Sequence, residues 1–532
     1  MNAFYIAAYV VCGVYMLLNF KYDIQMLQQN SYRPERYLRW MRGNTASGWR
    51  LTDVACIFLL FATLLDIRLA VLVVTLVCLT KIFLIFRKKY KKPLVFTKRV
   101  WRIYSLTGGL ATGAYLAAIF LCGSNEMVWG WYPAPAVALG ALFLITALSW
   151  VVVLVAVWLL TPVEKAINAR FRNEAVAILR SMPDLTVVGI TGSYGKTSTK
   201  HYLNRILSEK YSVLMTPGSY NTPMGVIRTV RELMKPYNEV FICEMGAKQK
   251  GDVKEICDIV NPRIGVLTAV GPMHLETFKT IENVRDTKFE LIDALPGDGL
   301  AVVNDDFEQI AGRQVSNVEC LRYSVAGTPG ASYKATDVRY SSQGTTFTVN
   351  GPDGFREEFA TRLLGEANIS DLLGAIVVAL RMNVPAENIR RAVADIQPVI
   401  HRLSITQTPG GVTILDDAFN SNPVGSRMAV EVLSHFTDGK RIIITPGMVE
   451  LGAKQEELNR ELGREIGRNV DIAIVVGAYN RDALTKGILE SGFDEEKLYP
   501  VESFNEAQKL LATLLAKGDT VLYENDLPDT FK

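Results

Sequence analysis

The sequence contains no C-x-x-C pair. Its seven cysteines, Cys12, Cys56, Cys78, Cys122, Cys243, Cys257 and Cys320, are scattered and odd in number, which excludes a disulfide framework or a zinc site built on paired thiols and suits a reducing compartment. There is no excess of charge of either sign: 57 Lys+Arg against 54 Asp+Glu leave a formal +3, too balanced for a chain whose whole surface binds nucleic acid. Forty glycines and 21 prolines in 532 residues are ordinary usage, with no internal repeat or low-complexity tract, so collagen-like and disordered classes are excluded. What is abundant is apolar residues, 49% of the chain against 21% charged. At roughly 150 residues per domain the length predicts three or four domains.

The apolar excess is concentrated in the first third. Residues 3–20, 51–86, 103–122 and 135–160 are apolar runs, the second interrupted at Asp66 and Arg68. Split at that interruption, each is about 17 to 26 residues, the length a membrane-crossing helix requires. A tight turn at Asp66 and Arg68 gives about five spans, a single crossing there gives four, and five is the expectation. The first run has no basic residue before it and no small-residue cleavage site, so it reads as a retained anchor. Lys21, Arg33, Arg36, Arg39, Arg42 and Arg50 follow it, and Arg87, Lys88, Lys89, Lys91, Lys92, Lys98, Arg99 and Arg102 follow the third span, whereas residues 123–134 have no Lys or Arg. The positive-inside rule then places both basic loops in the cytoplasm, the N-terminus outside and everything after Leu160 in the cytoplasm, as in a multi-pass protein of the plasma membrane. These basic clusters read as topology and anionic-lipid contact rather than nucleic-acid binding. Trp101, Trp129, Trp131, Trp150 and Trp158 stand at or near span ends, where amphipathic rings are often placed.

From about Val163 the composition changes. Residues 162–182 carry charges between apolar residues at helical spacing and read as an amphipathic connector. Beyond it, apolar runs at 185–190, 239–243, 264–268, 412–415, 441–445 and 472–476 alternate with helical patterns, the signature of an α/β fold with mostly parallel sheets. A more polar patch, 333–358, reads as short antiparallel strands with turns at Gly351 and Gly354.

The segment I-T-G-S-Y-G-K-T-S, 190–198, follows a strand and opens a helix, the setting in which a glycine loop wraps phosphates. Gly192, Ser193 and Gly195 let backbone amides converge on anionic oxygens, Lys196 adds a cation, and the Thr197 hydroxyl can ligate magnesium, with Ser198 beside it. The strict template G-x-x-x-x-G-K-[ST] would need glycine at Ile190, so the motif is the shorter T-G-S-x-G-K-T form. Glu244, a lone carboxylate at a strand end, is suited to hold a magnesium ion. His274 and Lys288 read, on bare residues, equally as structural or functional.

The order of motifs is more specific than any one of them. T-G-S-Y-G-K-T-S, S-Y-N-T-P-M-G-V, C-E-M-G-A-K-Q-K-G-D, G-P-M-H-L-E-T-F, D-T-K-F-E-L, G-E-A-N-I-S-D, H-R-L, L-D-D-A-F-N-S-N-P and G-M-V-E-L-G follow one another from 191 onward. This series resembles the Mur ligase family, and within it the branch that adds D-alanyl-D-alanine. The resemblance implies ATP-dependent amide ligation through an acyl phosphate. Lys196 would hold the β- and γ-phosphates, Thr197 and Glu244 one Mg2+, and His274 a second, together with Lys288 as a carbamylated lysine. Asn368 would contact adenine, Asp417 the ribose hydroxyls, Arg402 the nucleotide on domain closure, and Asn221 the acceptor near the γ-phosphate, with Asn420 and Asn422 also toward substrate. The implied layout is a transmembrane region to 162, a connector over 163–183, a P-loop central domain over 184–397 and a Rossmann-like domain over 398–532 that rotates onto it.

The chain departs from the family at four places. Hydrophobic spans occupy the length where a uridine-binding domain is usual. Tyr523, Glu524, Asn525 and Asp526 replace a basic K-G-S-R-like segment near the amino-acid site, Ala367 stands where histidine is usual, and Pro446-Gly-Met replaces G-D-M. The ATP chemistry is untouched by these changes, and the identity of both substrates is opened by them. The expected partners are a cell-wall precursor, UDP-linked or lipid-linked or a poly-γ-linked polymer, an amino acid or dipeptide, and the bilayer, with no nucleic acid and the oligomeric state open. A transporter is disfavoured because the spans hold few charges beyond Asp53, Asp66, Arg68 and Lys81. A silent membrane scaffold is disfavoured by the joint presence of Lys196, Thr197, Glu244, His274 and Lys288.

Overall fold

The computed structural model describes residues 3–30, 32–44, 48–61, 66–88, 90, 92–122, 127–128, 132–341, 344–399, 403–418 and 421–526. Arg402, Asn420, Lys89, Lys91, Trp129 and Trp131 lie outside them. The chain divides into two units, with the boundary after Asn168.

The first unit is helical. Among the described residues four helices are long and apolar enough to cross a membrane: Ala3–Gln29, Ile67–Arg87, Lys98–Cys122 and Ser149–Arg180. Where the sequence predicts about five, two of its runs behave differently. Among the described residues the run ahead of Asp66 forms the 14-residue helix Gly48–Phe61, about 21 Å at 1.5 Å per residue against a ~30 Å hydrocarbon core. Asp66 then caps the next helix, its side chain accepting from the Arg68 amide at 2.7 Å. The 135–160 run is broken at Leu148 into the short helix Ala134–Ala147 and the long one that follows, which carries Pro162 inside it. The connector at 162–182 is therefore mostly a continuation of that last helix. Large apolar side chains such as Phe58, Phe86, Phe120, Leu121 and Trp158 are exposed on these helices, the pattern of a lipid-facing surface.

The interior of this unit is polar along one line. Tyr15, Asn19 and Asp23 recur every four residues on the first helix and so share one face. Tyr15 donates to both oxygens of Asp53 at 2.9 and 3.0 Å, and Lys81 bonds Asp53 at 2.6 Å. One turn along, Asn19 donates to the Thr146 carbonyl at 3.3 Å. Asp23 accepts from Tyr37 at 2.9 Å, from Arg50 at 2.6 Å and from Ser149. Buried charges inside apolar helices are tolerated only when paired in this way.

The second unit holds two α/β sheets. The larger has nine strands. Its parallel part runs in the order 333–341, 319–324, 300–304, 264–267, 186–191, 240–244, 213–215, and 344–350 and 356–361 follow 333–341 as an antiparallel edge. The strand predicted for 185–190 is thus central, flanked by 240–244 and 264–267, and Val188, Ile190, Ile242 and Val266 are fully buried. That is the near-continuous apolar run a two-sided parallel sheet demands. The second sheet has six strands in the order 404–407, 413–417, 520–524, 441–445, 472–476, 498–501, parallel except for the first. The strands expected at 441–445 and 472–476 are found with those bounds. Folds of this kind take ligands at the carboxyl ends of their parallel strands.

Candidate active site

Strand 186–191 ends in the glycine loop, and helix Lys196–Leu207 starts directly from it. Gly195 has φ +77°, and a Cβ there would fall 2.0 Å from the Asp371 carboxylate; one at Gly192 would fall 2.1 Å from the Thr268 hydroxyl. Only glycine fits either position, so backbone amides are left bare around the turn at a helix N-terminus, which is a cradle for anions. The loop is stitched to the next strand end: Ser193 exchanges hydrogen bonds with the Gly271 backbone at 3.1 Å through its hydroxyl, and its amide reaches the Ala269 carbonyl at 2.7 Å. Lys196 folds over the loop, donating to the carbonyls of Gly192 at 2.7 Å and Ser193 at 3.2 Å. Ser198 is buried in the first turn of the helix.

Glu244, at the end of the neighbouring strand, collects the other groups. The Thr197 hydroxyl lies 3.2 Å from both its oxygens, Asn221 donates at 3.1 Å, and Lys200 pairs with it at 2.9 Å. Burial pushes this carboxyl up, but Lys200 and then Lys196 pull it below the ordinary glutamate value, and it is ionised. Lys200 is fully buried and also donates to the Gly218 carbonyl at 2.5 Å. No role was expected for Lys200, although its place four residues after Lys196 on one helix face was a usable signal. Lys200→Met should cost about 1–3 kcal/mol of stability, because Glu244 stays buried with Thr197 and Asn221 still bonded to it. Denaturant unfolding with an unchanged midpoint would exclude that role.

His274 opens a short helix in the left-handed region, with φ +52°, and its ring nitrogen bonds Glu450 of the M-V-E-L-G segment. Glu450 also takes Lys248 at 3.2 Å. Burial holds the imidazole below the usual histidine range and so neutral, the form a metal ligand needs. Lys288 is almost wholly buried, and burial together with the charge of Lys196 drives its ammonium well below the ordinary lysine value. A neutral amine is the form that can add carbon dioxide. Among the described residues no group of three or more His, Cys, Asp or Glu forms a ready metal cage; the donors brought together are Thr197 and Glu244, while His274 is turned to Glu450.

The remaining expected residues are placed as follows. Asn368 is buried, with its amide oxygen accepting from Tyr202 at 2.8 Å and its nitrogen donating to the Leu364 carbonyl at 2.8 Å. Asp417, at the end of strand 413–417, accepts from the Leu403 amide at 3.0 Å. Asn422 caps helix Pro423–Ser434 through the Gly425 amide at 2.8 Å. A cavity of about 990 Å³ lies away from the phosphate loop, at the other end of the large sheet, where Thr186, Val240, Ile264 and Leu300 begin their strands. Concavity alone would therefore have misplaced the site.

With this geometry in place, the chain was compared with known proteins. Residues 190–379 match the model of the Mur ligase middle domain, and 401–523 that of the Mur ligase glutamate ligase domain. Two relatives named UDP-N-acetylmuramoyl-tripeptide--D-alanyl-D-alanine ligase, from Bacillus subtilis and Mycobacterium bovis, are 27% and 30% identical. They align with 64% and 65% of this chain and with 72% of each relative. A crystal structure of MurF ligase from Thermotoga maritima in complex with ADP is similar at TM-score 0.59 and 27% identity, covering 68% of this chain and 80% of that one. A MurF structure from Acinetobacter baumannii, at TM-score 0.61 and 24% identity, shares the fold over 68% of this chain.

Proposed function

The chain belongs to the Mur ligase family of ATP-dependent amide-forming ligases, and from that premise we propose that it joins D-alanyl-D-alanine, or a similar amine, to the carboxylate of a peptidoglycan precursor at the cytoplasmic face of a membrane. The observation that carries the reading is the gathering of Lys196, Thr197, Asn221 and Glu244 around one glycine cradle. A carboxylate and a triphosphate repel each other, so the reaction needs cations and aligned donors between them. Lys196 and the loop amides hold the β- and γ-phosphates. The substrate carboxylate attacks the γ-phosphorus and ADP leaves; the amine lone pair then attacks the acyl carbon, the C–N bond forms, the C–O bond breaks with its electron pair going to phosphate, and the nitrogen releases a proton, with no change of oxidation state. Thr197 with Glu244, and His274 with Lys288 as its carbamate, are the groups assigned to two Mg2+ ions, which supply charge neutralisation. Asn221 is assigned to the acceptor, Asp417 to the ribose, Asn368 to the adenine, Arg402 to the nucleotide, and Asn420 and Asn422 to substrate.

The N-terminal helices favour a finer version of this reading. They precede the family match in the chain, and their exposed apolar side chains suit a bilayer, which favours a lipid-linked acceptor. The full-length protein in detergent is the material for the test, with phosphate release measured for UDP-N-acetylmuramoyl-tripeptide or its lipid-linked counterpart, each with D-alanyl-D-alanine. Release that needs both substrates and falls at least about 10²-fold in Lys288→Ala supports ligation. Turnover with the lipid-linked acceptor alone selects the finer version. Release that ignores the amine defeats both.

A further inference from the structure

The C-terminal domain holds a second pair of acids that the reaction as described does not use. Strands 413–417 and 520–524 are parallel neighbours, and their register sets Asp417 beside Glu524 at the carboxyl end of the sheet. Glu524 is completely buried. One of its oxygens, Oε1, accepts from the hydroxyls of Ser421 and Ser426, each at 2.7 Å. The other, Oε2, is buried with no donor among the described residues, and it is the Asp417 side chain that comes within hydrogen-bonding range of the Glu524 carboxyl. Asp417 is half-buried and Glu524 wholly so, and two carboxylates at that range strongly disfavour being ionised together. A positive charge between them relieves the repulsion, and Glu524 itself is sealed from solvent. A proton satisfies the geometry.

We propose that Glu524 is a positioning residue for Asp417: a proton carried on Glu524 Oε2 is donated to the Asp417 carboxylate and holds it, together with the Leu403 amide, oriented toward the nucleotide ribose. The proposal rests on the ribose assignment made for Asp417 above. Charged groups on the elements packed against Glu524 are few. Asp416 is the strand neighbour of Asp417 and points to the opposite face of the sheet; Arg427 and Glu431, on the helix above, are exposed; and Arg441, on the other neighbouring strand, is engaged by Asp471 at 2.8 Å. Burial, and then the Asp417 charge, push the Glu524 carboxyl well above the ordinary glutamate value. The acid therefore keeps its proton to higher pH than an ordinary glutamate, and in that form it works as a donor.

The sign of the pH effect follows. A carboxyl whose folded value is raised binds more protons folded than unfolded, so its contribution to stability is full below about pH 4.5 and is lost as pH rises toward the folded value. Loss of the proton also sets two negative charges face to face and dislodges Asp417.

The test measures ADP affinity and thermal midpoint across pH 5–9 for the full-length protein, Glu524→Gln, Glu524→Ala and Asp417→Ala. The amide of Glu524→Gln keeps the serine contacts and is a permanent donor. It should bind ADP as wild type does at low pH and exceed wild type as pH rises, read as a ratio in which the nucleotide's own titration cancels. Glu524→Ala should weaken ADP binding about tenfold, the scale of one charge-assisted hydrogen bond. A ratio flat at unity across pH, or Glu524→Ala binding as wild type does, overturns the proposal. Asp417→Ala separates the two levels: if it weakens ADP while the Glu524 variants do not, positioning fails and the ribose assignment stands; if it changes nothing, the ribose assignment itself has failed.

Discussion

Lys196→Ala should abolish ATP-dependent turnover, lowering kcat by about 10²–10³-fold or more while the protein remains folded. The expectation rests on where the side chain lies. Its ammonium is folded over Gly192 and Ser193 at the mouth of the loop, and its stem is not part of the hydrophobic core. Removing it takes away a preorganised cation that acts on charge developing at the transferred phosphoryl group, and losses of this size accompany the removal of one such group. A second consequence separates chemistry from folding. Lys196 is one of the charges that hold Lys288 below its ordinary value and the Glu244 carboxyl below its own, so in Lys196→Ala both shifts should relax toward ordinary values. The measurement is single-turnover phosphate release beside a thermal midpoint. Turnover within a few-fold of wild type would remove the loop from the chemistry and return the silent-scaffold reading.

Asp53→Ala should destabilise the membrane unit by about 3–5 kcal/mol, the cost of deleting one partner of a buried ion pair. The variant deprives Lys81, which is 5% exposed, of the carboxylate 2.6 Å away and removes the acceptor of the Tyr15 hydroxyl. What makes the loss large is the ammonium left behind in an apolar interior rather than the bond itself. Asp53→Leu combined with Lys81→Met, which removes both charges and keeps the volume, should therefore recover to within about 1 kcal/mol of wild type. Unfolding of the full-length protein in mixed detergent reads both. A single variant as stable as wild type would show that Asp53 and Lys81 are not paired in the folded unit.

The ATP half of the molecule was readable because its chemistry is local. A phosphate loop is a run of consecutive small residues between a strand and a helix, and every requirement on Gly192, Gly195 and Lys196 is met within one turn of chain. The strands at 441–445 and 472–476 were readable for a similar reason, since two-sided burial writes itself as an unbroken apolar run. The count of spans was less readable. Hydropathy sees that 51–65 and 135–147 are apolar, but not that Asp66 caps a new helix or that the chain breaks at Leu148.

Pairings made across the fold were out of reach. Glu450 belongs to a segment quoted from the sequence, yet its contact with His274 spans 176 residues and depends on how two sheets are brought together. Lys200 looks like any surface lysine until the packing of its helix buries it against Glu244. Asp417 and Glu524 are separated by more than a hundred residues and meet only because two parallel strands share a register.

The sequence by itself determined that the chain has an apolar helical third, an α/β remainder and a loop built to hold phosphate, because those properties depend on residue type and spacing along one segment. The tertiary structure alone decided which charges are partners and which lysine and which acid are moved away from their ordinary values, because those depend on what burial removes and on which group lies opposite across the sheet.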